Sequence, residues 1–170
     1  MLKNPRKYRP MFEEAVDLQI AELKHEIAFI ELLREEISGK FFRIAYPLGP
    51  ISDRTLPSIP NEIGVYMTQH IPSRKICYIG QGNLLQRRGR QRQVFMNKGQ
   101  PKLYSSGKNG IITSSNDHPG ARKMFAYDPD INNWQIWMRA LYSKSLAQKM
   151  EIVLQERVPT MFNDEKMNGV

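Results

Sequence analysis

Apolar residues recur at steps of three and four from Phe12 through Val16, Ile20, Leu23, Ile27, Ile30 and Leu33 to Ile37. That spacing keeps one stripe of a helix apolar. Acidic residues fill most positions between, and Gly39 stands where a C-terminal glycine stop belongs. A helix over residues 11–38 follows. It is too long for a small core to cover from end to end, so part of its stripe is expected to pack on a partner or on another copy of the chain.

The pattern then changes. Residues 41–62 read as a connector punctuated by Pro47, Gly49, Pro50, Pro57 and Pro60, with a short strand at Phe41, Phe42 and Ile44. Two short apolar segments, around Gly64-Val65-Tyr66 and Tyr78-Ile79-Gly80, flank a hydrophilic turn with His70, Pro72 and Ser73. This predicts a β-hairpin carrying one tyrosine on each strand. Asn83 can cap a helix through Leu84, Leu85, Arg87, Arg88 and Arg92. Gly89 inside that helix costs about 1 kcal/mol against alanine. Residues 96–133 are polar and turn-rich, a length of loop that in a compact domain is functional or disordered. Residues 134–141 alternate as a strand. Ser143 or Ser145 can cap a helix through Leu146, Ala147, Met150 and Leu154, and Pro159 stops it. Strands mixed with helices in this order predict an α+β fold. It has an N-terminal piece over 1–60 (basic arm, long helix, connector), a second domain over 61–170 and an insertion at 96–133.

Charge sharpens this picture. The chain has 170 residues and a net charge of +8. The first helix is acidic, while Gly64 to Lys123 holds eleven Lys and Arg against Asp117 alone. A polyphosphate is the natural counterpart of such a surface. The single Cys77 excludes an intrachain disulfide and a cysteine-rich zinc site, and its apolar neighbours predict a buried strand thiol. No apolar stretch is long enough to span a bilayer, and no signal core follows the basic N-terminus. A cytoplasmic setting is the default expectation.

Phenols, a guanidinium and a carboxylate suit metal-assisted attack on a phosphodiester. Tyr66 is the candidate general base or relay for the attacking water, although a phenol, with a pKa of about 10, needs a nearby cation or metal to act at neutral pH. Tyr78 would orient the water or hold the phosphate. An arginine offers a planar fork for phosphate oxygens, and Glu151 would bind one Mg²⁺, or Mn²⁺, completed by waters and substrate oxygens. Lys75 and His70 are accessory candidates.

Gly64-Val65-Tyr66 and Tyr78-Ile79-Gly80, then Asn83-Leu84-Leu85-Gln86-Arg87, Ala147-x-x-x-Glu151 and Pro159-Thr160-Met161-Phe162-Asn163 resemble, in order, the motifs of the GIY-YIG nuclease family. The resemblance covers residues 62–163. It implies a small antiparallel sheet flanked by helices and a catalytic set of Tyr66, Tyr78, an arginine and Glu151, with Asn163 buttressing the glutamate. The Asn-Leu-x-x-Arg spacing favours Arg87; the distance from Tyr78 favours Arg88. Many members carry a histidine or tyrosine four residues beyond the arginine. Here that position is Gln91 or Arg92, so the third helper is missing or comes from His70, His118 or Tyr104.

A short chain with a helical extension and a basic insertion looks most like the type II restriction members. The resemblance then implies a sequence-specific endonuclease on double-stranded DNA, acting as a homodimer. Arg88, Arg90, Arg92, Gln91, Gln93, Lys98, Lys102, Tyr104, Ser106, Lys108 and Asn109 are the candidate DNA contacts. A nicking or branched-DNA nuclease, or a non-catalytic DNA-binding protein on the same scaffold, are the alternatives.

Overall fold

The computed structural model describes residues 5–100, 104–105, 112–113 and 118–162. The protein is α+β and divides into two compact units at Phe41/Phe42. The first unit is essentially one helix, α1, Pro5–Ile37. It starts earlier than its apolar stripe, taking in part of the basic arm. It ends as a Schellman turn: Gly39 has φ +69°, its N–H donates to Glu36 O, and Lys40 N–H donates to Glu35 O. Phe12, Val16, Ile20, Leu23, Ile27, Ile30 and Ile37 of the stripe are exposed.

The second unit is built on a four-stranded antiparallel sheet. Its strands are β1, Ile44–Pro47; β2, Ile63–His70; β3, Ile76–Asn83; and β6, Trp134–Ala140, in the order β1-β6-β2-β3. Two short strands, β4 (Tyr104–Ser105) and β5 (Ile112–Thr113), pair separately. The boundary thus lies near residue 41 rather than Pro60. The short strand expected at Phe41, Phe42 and Ile44 within the connector lies at Ile44–Pro47 and joins this sheet as β1, and Leu56 and Ile59 beyond it pack on the core around Tyr46, Tyr66, Leu84, Ile136 and Met138.

Three helices cover the sheet. Helix α2, Leu84–Met96, is capped by Asn83, whose Oδ1 accepts the Gln86 N–H at 3.0 Å. Helix α3, Pro119–Tyr127, falls inside the segment expected as loop. It was missed because glycine and proline crowd its start, where Pro119 is harmless at N1. Its residues Gly120, Ala121 and Met124 are buried, so one side of α3 packs into the core, within the stretch expected as an insertion. Helix α4, Lys144–Arg157, is capped by Ser143, which accepts the Leu146 N–H at 3.1 Å. It buries Leu146, Ala147, Met150 and Leu154 on one side and packs on β2 and β3. Cys77 is wholly buried with its thiol pushed up to about 11 by burial. Among the described residues no helix is long and apolar enough to cross a membrane.

Candidate active site

The site forms where the hairpin reaches the sheet edge. Tyr66 of β2 lies opposite Gly80 of the edge strand β3, and Tyr78 lies opposite Thr68. Alternation puts Tyr66, Tyr78, Gly80 and Gly82 on one face. A Cβ at Gly80 would sit 2.5 Å from the Tyr66 hydroxyl. The missing side chain is therefore what lets the Tyr66 phenol run across β3 toward the edge. Gly82, at φ +142°, does the same for Arg87, whose Nε would lie 2.5 Å from a Cβ there. The Asn83 cap starts α2 at the point that drops Arg87, in its first turn, onto this glycine floor. The Tyr66 and Tyr78 rings stand 6.1 Å apart at 25°.

Glu151 reaches the same place from α4. It follows buried Met150 and is itself half-buried. Gln155, one turn on, donates through Nε2 to Glu151 Oε1 at 3.2 Å and to the carbonyl of Ile79 at 3.0 Å. One amide thus ties the carboxylate to the strand residue between Tyr78 and Gly80. Nothing in the motif pattern pointed to Gln155, although its i+4 spacing from Glu151 is the pairing distance of a helix. Glu156, the next carboxylate along α4, is exposed.

The four groups feel one another. Burial, then Tyr78 and Glu151, push the Tyr66 pKa well above the ordinary phenol value, against a lowering by Arg87. Tyr78 is raised by burial and Glu151, while Arg87 and a hydrogen bond from the Tyr66 hydroxyl pull it down. Burial and the neighbouring Tyr78 and Glu151 weigh against the role of base expected of Tyr66. Tyr66 is 1% exposed, and that burial favours its protonated form. Tyr78 is the less enclosed phenol; its pKa is raised as well, by burial and Glu151, with Arg87 and the Tyr66 hydrogen bond acting the other way.

A histidine completes the chain. His118 caps α3, its Nδ1 accepting the Ala121 N–H at 3.1 Å. An acceptor Nδ1 assigns the ring proton to Nε2. Nε2–H then donates to Tyr66 Oη, 3.1 Å away, and the Tyr66 hydroxyl is free to donate onward to Tyr78. The His118 and Tyr78 rings meet at 5.3 Å. Gln91, four residues beyond Arg87, is wholly buried, with its amide 3.5 Å from His118 Nε2 and at 3.4–3.5 Å from Thr68 Oγ1. Of the three alternatives considered for the helper, the structure brings His118 to the phenols.

Several other candidates sit elsewhere. Arg88 is buried, and its guanidinium donates to the carbonyls of Pro47 (3.1 and 2.8 Å) and Gly49 (2.6 Å). It holds β1 to α2 and is neither the phosphate arginine nor a DNA contact. Gln91, enclosed as described, is also not a DNA contact. His70 lies at the turn end of the hairpin. Its Nε2 pairs with Asp128 Oδ2 at 2.9 Å and its Nδ1 with Ser73 Oγ at 2.8 Å, so both nitrogens are engaged in structure. Lys75 is exposed in the turn and is not among the groups acting on the phenols. Arg90, Arg92 and Gln93 are half-buried on α2, and Lys98 is exposed just past its end. Asn163, Lys102, Ser106, Lys108 and Asn109, and the side chain of Tyr104, lie outside the described residues.

Among the described residues no three His, Cys, Asp or Glu side chains gather as a preformed metal cage. A single anchored carboxylate beside a guanidinium nonetheless fits Mg²⁺, which is commonly held by one or two carboxylates together with substrate phosphates and water. Compared with family models, with curated proteins and with solved structures, the chain matches none.

Proposed function

We propose that the chain is a metal-dependent endonuclease that hydrolyses phosphodiester bonds of double-stranded DNA, cutting at a specific sequence as a type II restriction enzyme does. The observation that carries this reading is the convergence at the β3 edge of two phenols, one guanidinium and one carboxylate, drawn from four separate elements. Their order resembles that of the GIY-YIG nucleases, and the basic stretch from Gly64 to Lys123 supplies the counter-charge for a nucleic acid.

In this reading Arg87 grips the scissile phosphate through its planar fork. Tyr78 orients the attacking water and, as phenolate, takes its proton; burial and Glu151 raise its pKa, against which Arg87, the Tyr66 hydroxyl and a cation held at Glu151 would act. The water oxygen bonds to phosphorus as the bond to the 3′ oxygen breaks. Tyr66, steadied by His118, holds Tyr78 in place. Glu151 would hold the Mg²⁺, which when bound supplies charge neutralisation for the phosphate and the departing 3′ oxygen. Cutting both strands needs two such sites related by a twofold axis. The exposed apolar stripe of α1 supports a homodimer through that helix.

The test is digestion of plasmid DNA with Mg²⁺. Discrete fragments are expected, and Glu151→Ala should cut at least about a thousandfold more slowly while still binding DNA. Nicked circles alone would leave the hydrolysis and remove the restriction assignment. Binding with no cleavage by the unaltered chain would overturn the enzyme reading.

A further inference from the structure

The outward face of α2 holds a feature that the hydrolytic site does not use. At about 100° per residue, Gln86, Arg90 and Gln93 fall on one side of the helix with Gly89 among them. These four line a shallow groove of about 360 Å³. No residue of α2 is acidic. Gly89 is the unexpected member. Glycine in a helix interior lowers stability against alanine, and it recurs where another surface comes too close for a Cβ. Gly80 and Gly82 make room for Tyr66 and Arg87. A Cβ at Gly89 would meet nothing within 4 Å. Among the described residues, then, nothing in the chain requires glycine here, and the backbone at this point is open to an approaching molecule.

We propose that this face of α2 seats in a groove of the DNA duplex, next to the phosphate held by Arg87, and reads its sequence. Gly89 lets the helix backbone come close, and Gln86, Arg90 and Gln93 meet base edges. The occupant follows from the lining. Two carboxamides and a guanidinium, with no apolar or acidic group among them, match a polyanion that also presents hydrogen-bonding edges. Arginine pairs with guanine and glutamine with adenine, and the major groove admits a helix. Arg87 lies on the flank of the same helix, one turn from Arg90, so DNA gripped at the site runs past this face. Gln86 replaces Gln91 in the expected set, because Gln91 points inward.

This inference rests on the nuclease reading, and the experiment separates the two. Affinity for a duplex fragment containing a cut site is measured by anisotropy in the Glu151→Ala background, and cut positions are mapped in the active protein. Gly89→Leu should leave the melting temperature equal or higher and weaken duplex binding at least tenfold. Arg90→Ala should weaken binding about tenfold and add cuts at related sequences. If both variants bind within twofold of the parent and cut the same positions, this inference is wrong while the nuclease reading stands. If the unaltered chain neither binds nor cuts duplex DNA, both fall together.

Discussion

The β2–β3 hairpin carries a histidine-centred network at each end, and the two are built to opposite purposes. At the turn end, His70 sits between Ser73 and Asp128, edge-on to Tyr127 at 5.1 Å and against Trp134 at 4.8 Å. Asp128 itself accepts from Asn133 and from the Asp130 N–H, which with His70 lowers its pKa. Both imidazole nitrogens of His70 and both carboxylate oxygens of Asp128 are spent within the chain, and the product is a pinned turn. At the other end, His118 receives one backbone N–H and passes a hydrogen bond through Tyr66 to Tyr78. That chain terminates on a partly open phenol beside a half-buried Arg87 and Glu151. The difference lies in where the last hydrogen bond points. A closed network stabilises the fold; one that ends at a cleft can act on a substrate.

The comparison breaks most sharply at Arg87 and His70. Arg87→Ala should lower the cleavage rate by about 10²–10³ with little change in melting temperature, since the guanidinium lies over the surface of β3. His70→Ala should do the reverse. It removes two part-buried hydrogen bonds and costs about 1–2 kcal/mol in denaturant unfolding, with cleavage per folded molecule unchanged within twofold. If His70→Ala abolishes cutting in a folded protein, the division of the hairpin into two ends is wrong.

His118→Asn is a finer probe. Asparagine still caps α3 but cannot reach Tyr66. Cleavage should fall about ten- to a hundredfold with the α3 cap retained, which thermal melting and single-turnover rates check together. The smallest effect is expected at Asp128. Its folded pKa is depressed, so its contribution to stability is present above the unfolded value of about 3.9 and is lost as pH falls through the folded value. Asp128→Asn should therefore destabilise by less than about 1 kcal/mol at pH 7, the group being partly exposed, and by still less at pH 3. Urea unfolding at both pH values measures this, and an equal loss at each would disprove the linkage.

Much of the architecture was legible in the chain because local rules agree with the packing. The α1 stripe, the Gly39 stop, the tyrosine hairpin, the Asn83 and Ser143 caps and the final helix all follow from periodicity and end signals. Two stretches read through only in part or not at all. Strand β1, expected at Phe41, Phe42 and Ile44, lies slightly later, at Ile44–Pro47, since an edge strand tolerates Pro47. Helix α3 hides behind His118-Pro119-Gly120, a helix start with an unusual cap.

The candidate site was legible by residue type and less so by role. Arg87 and Arg88 are adjacent and chemically identical, so spacing alone could not separate them. In the structure the 100° turn between them sends one over Gly82 and the other to the carbonyls of Pro47 and Gly49. Tyr66 and Tyr78 are likewise alike until burial ranks their acidity.

The order of elements, the pairing of the tyrosines and the candidate carboxylate were set by the amino-acid sequence, because periodicity and capping act over a few residues. Which arginine faces the edge, which phenol is the more buried, and which histidine supports it were decided by the tertiary structure alone. Those outcomes depend on desolvation and on hydrogen bonds between residues such as Tyr66 and His118, which are brought together only when α3 folds against the sheet.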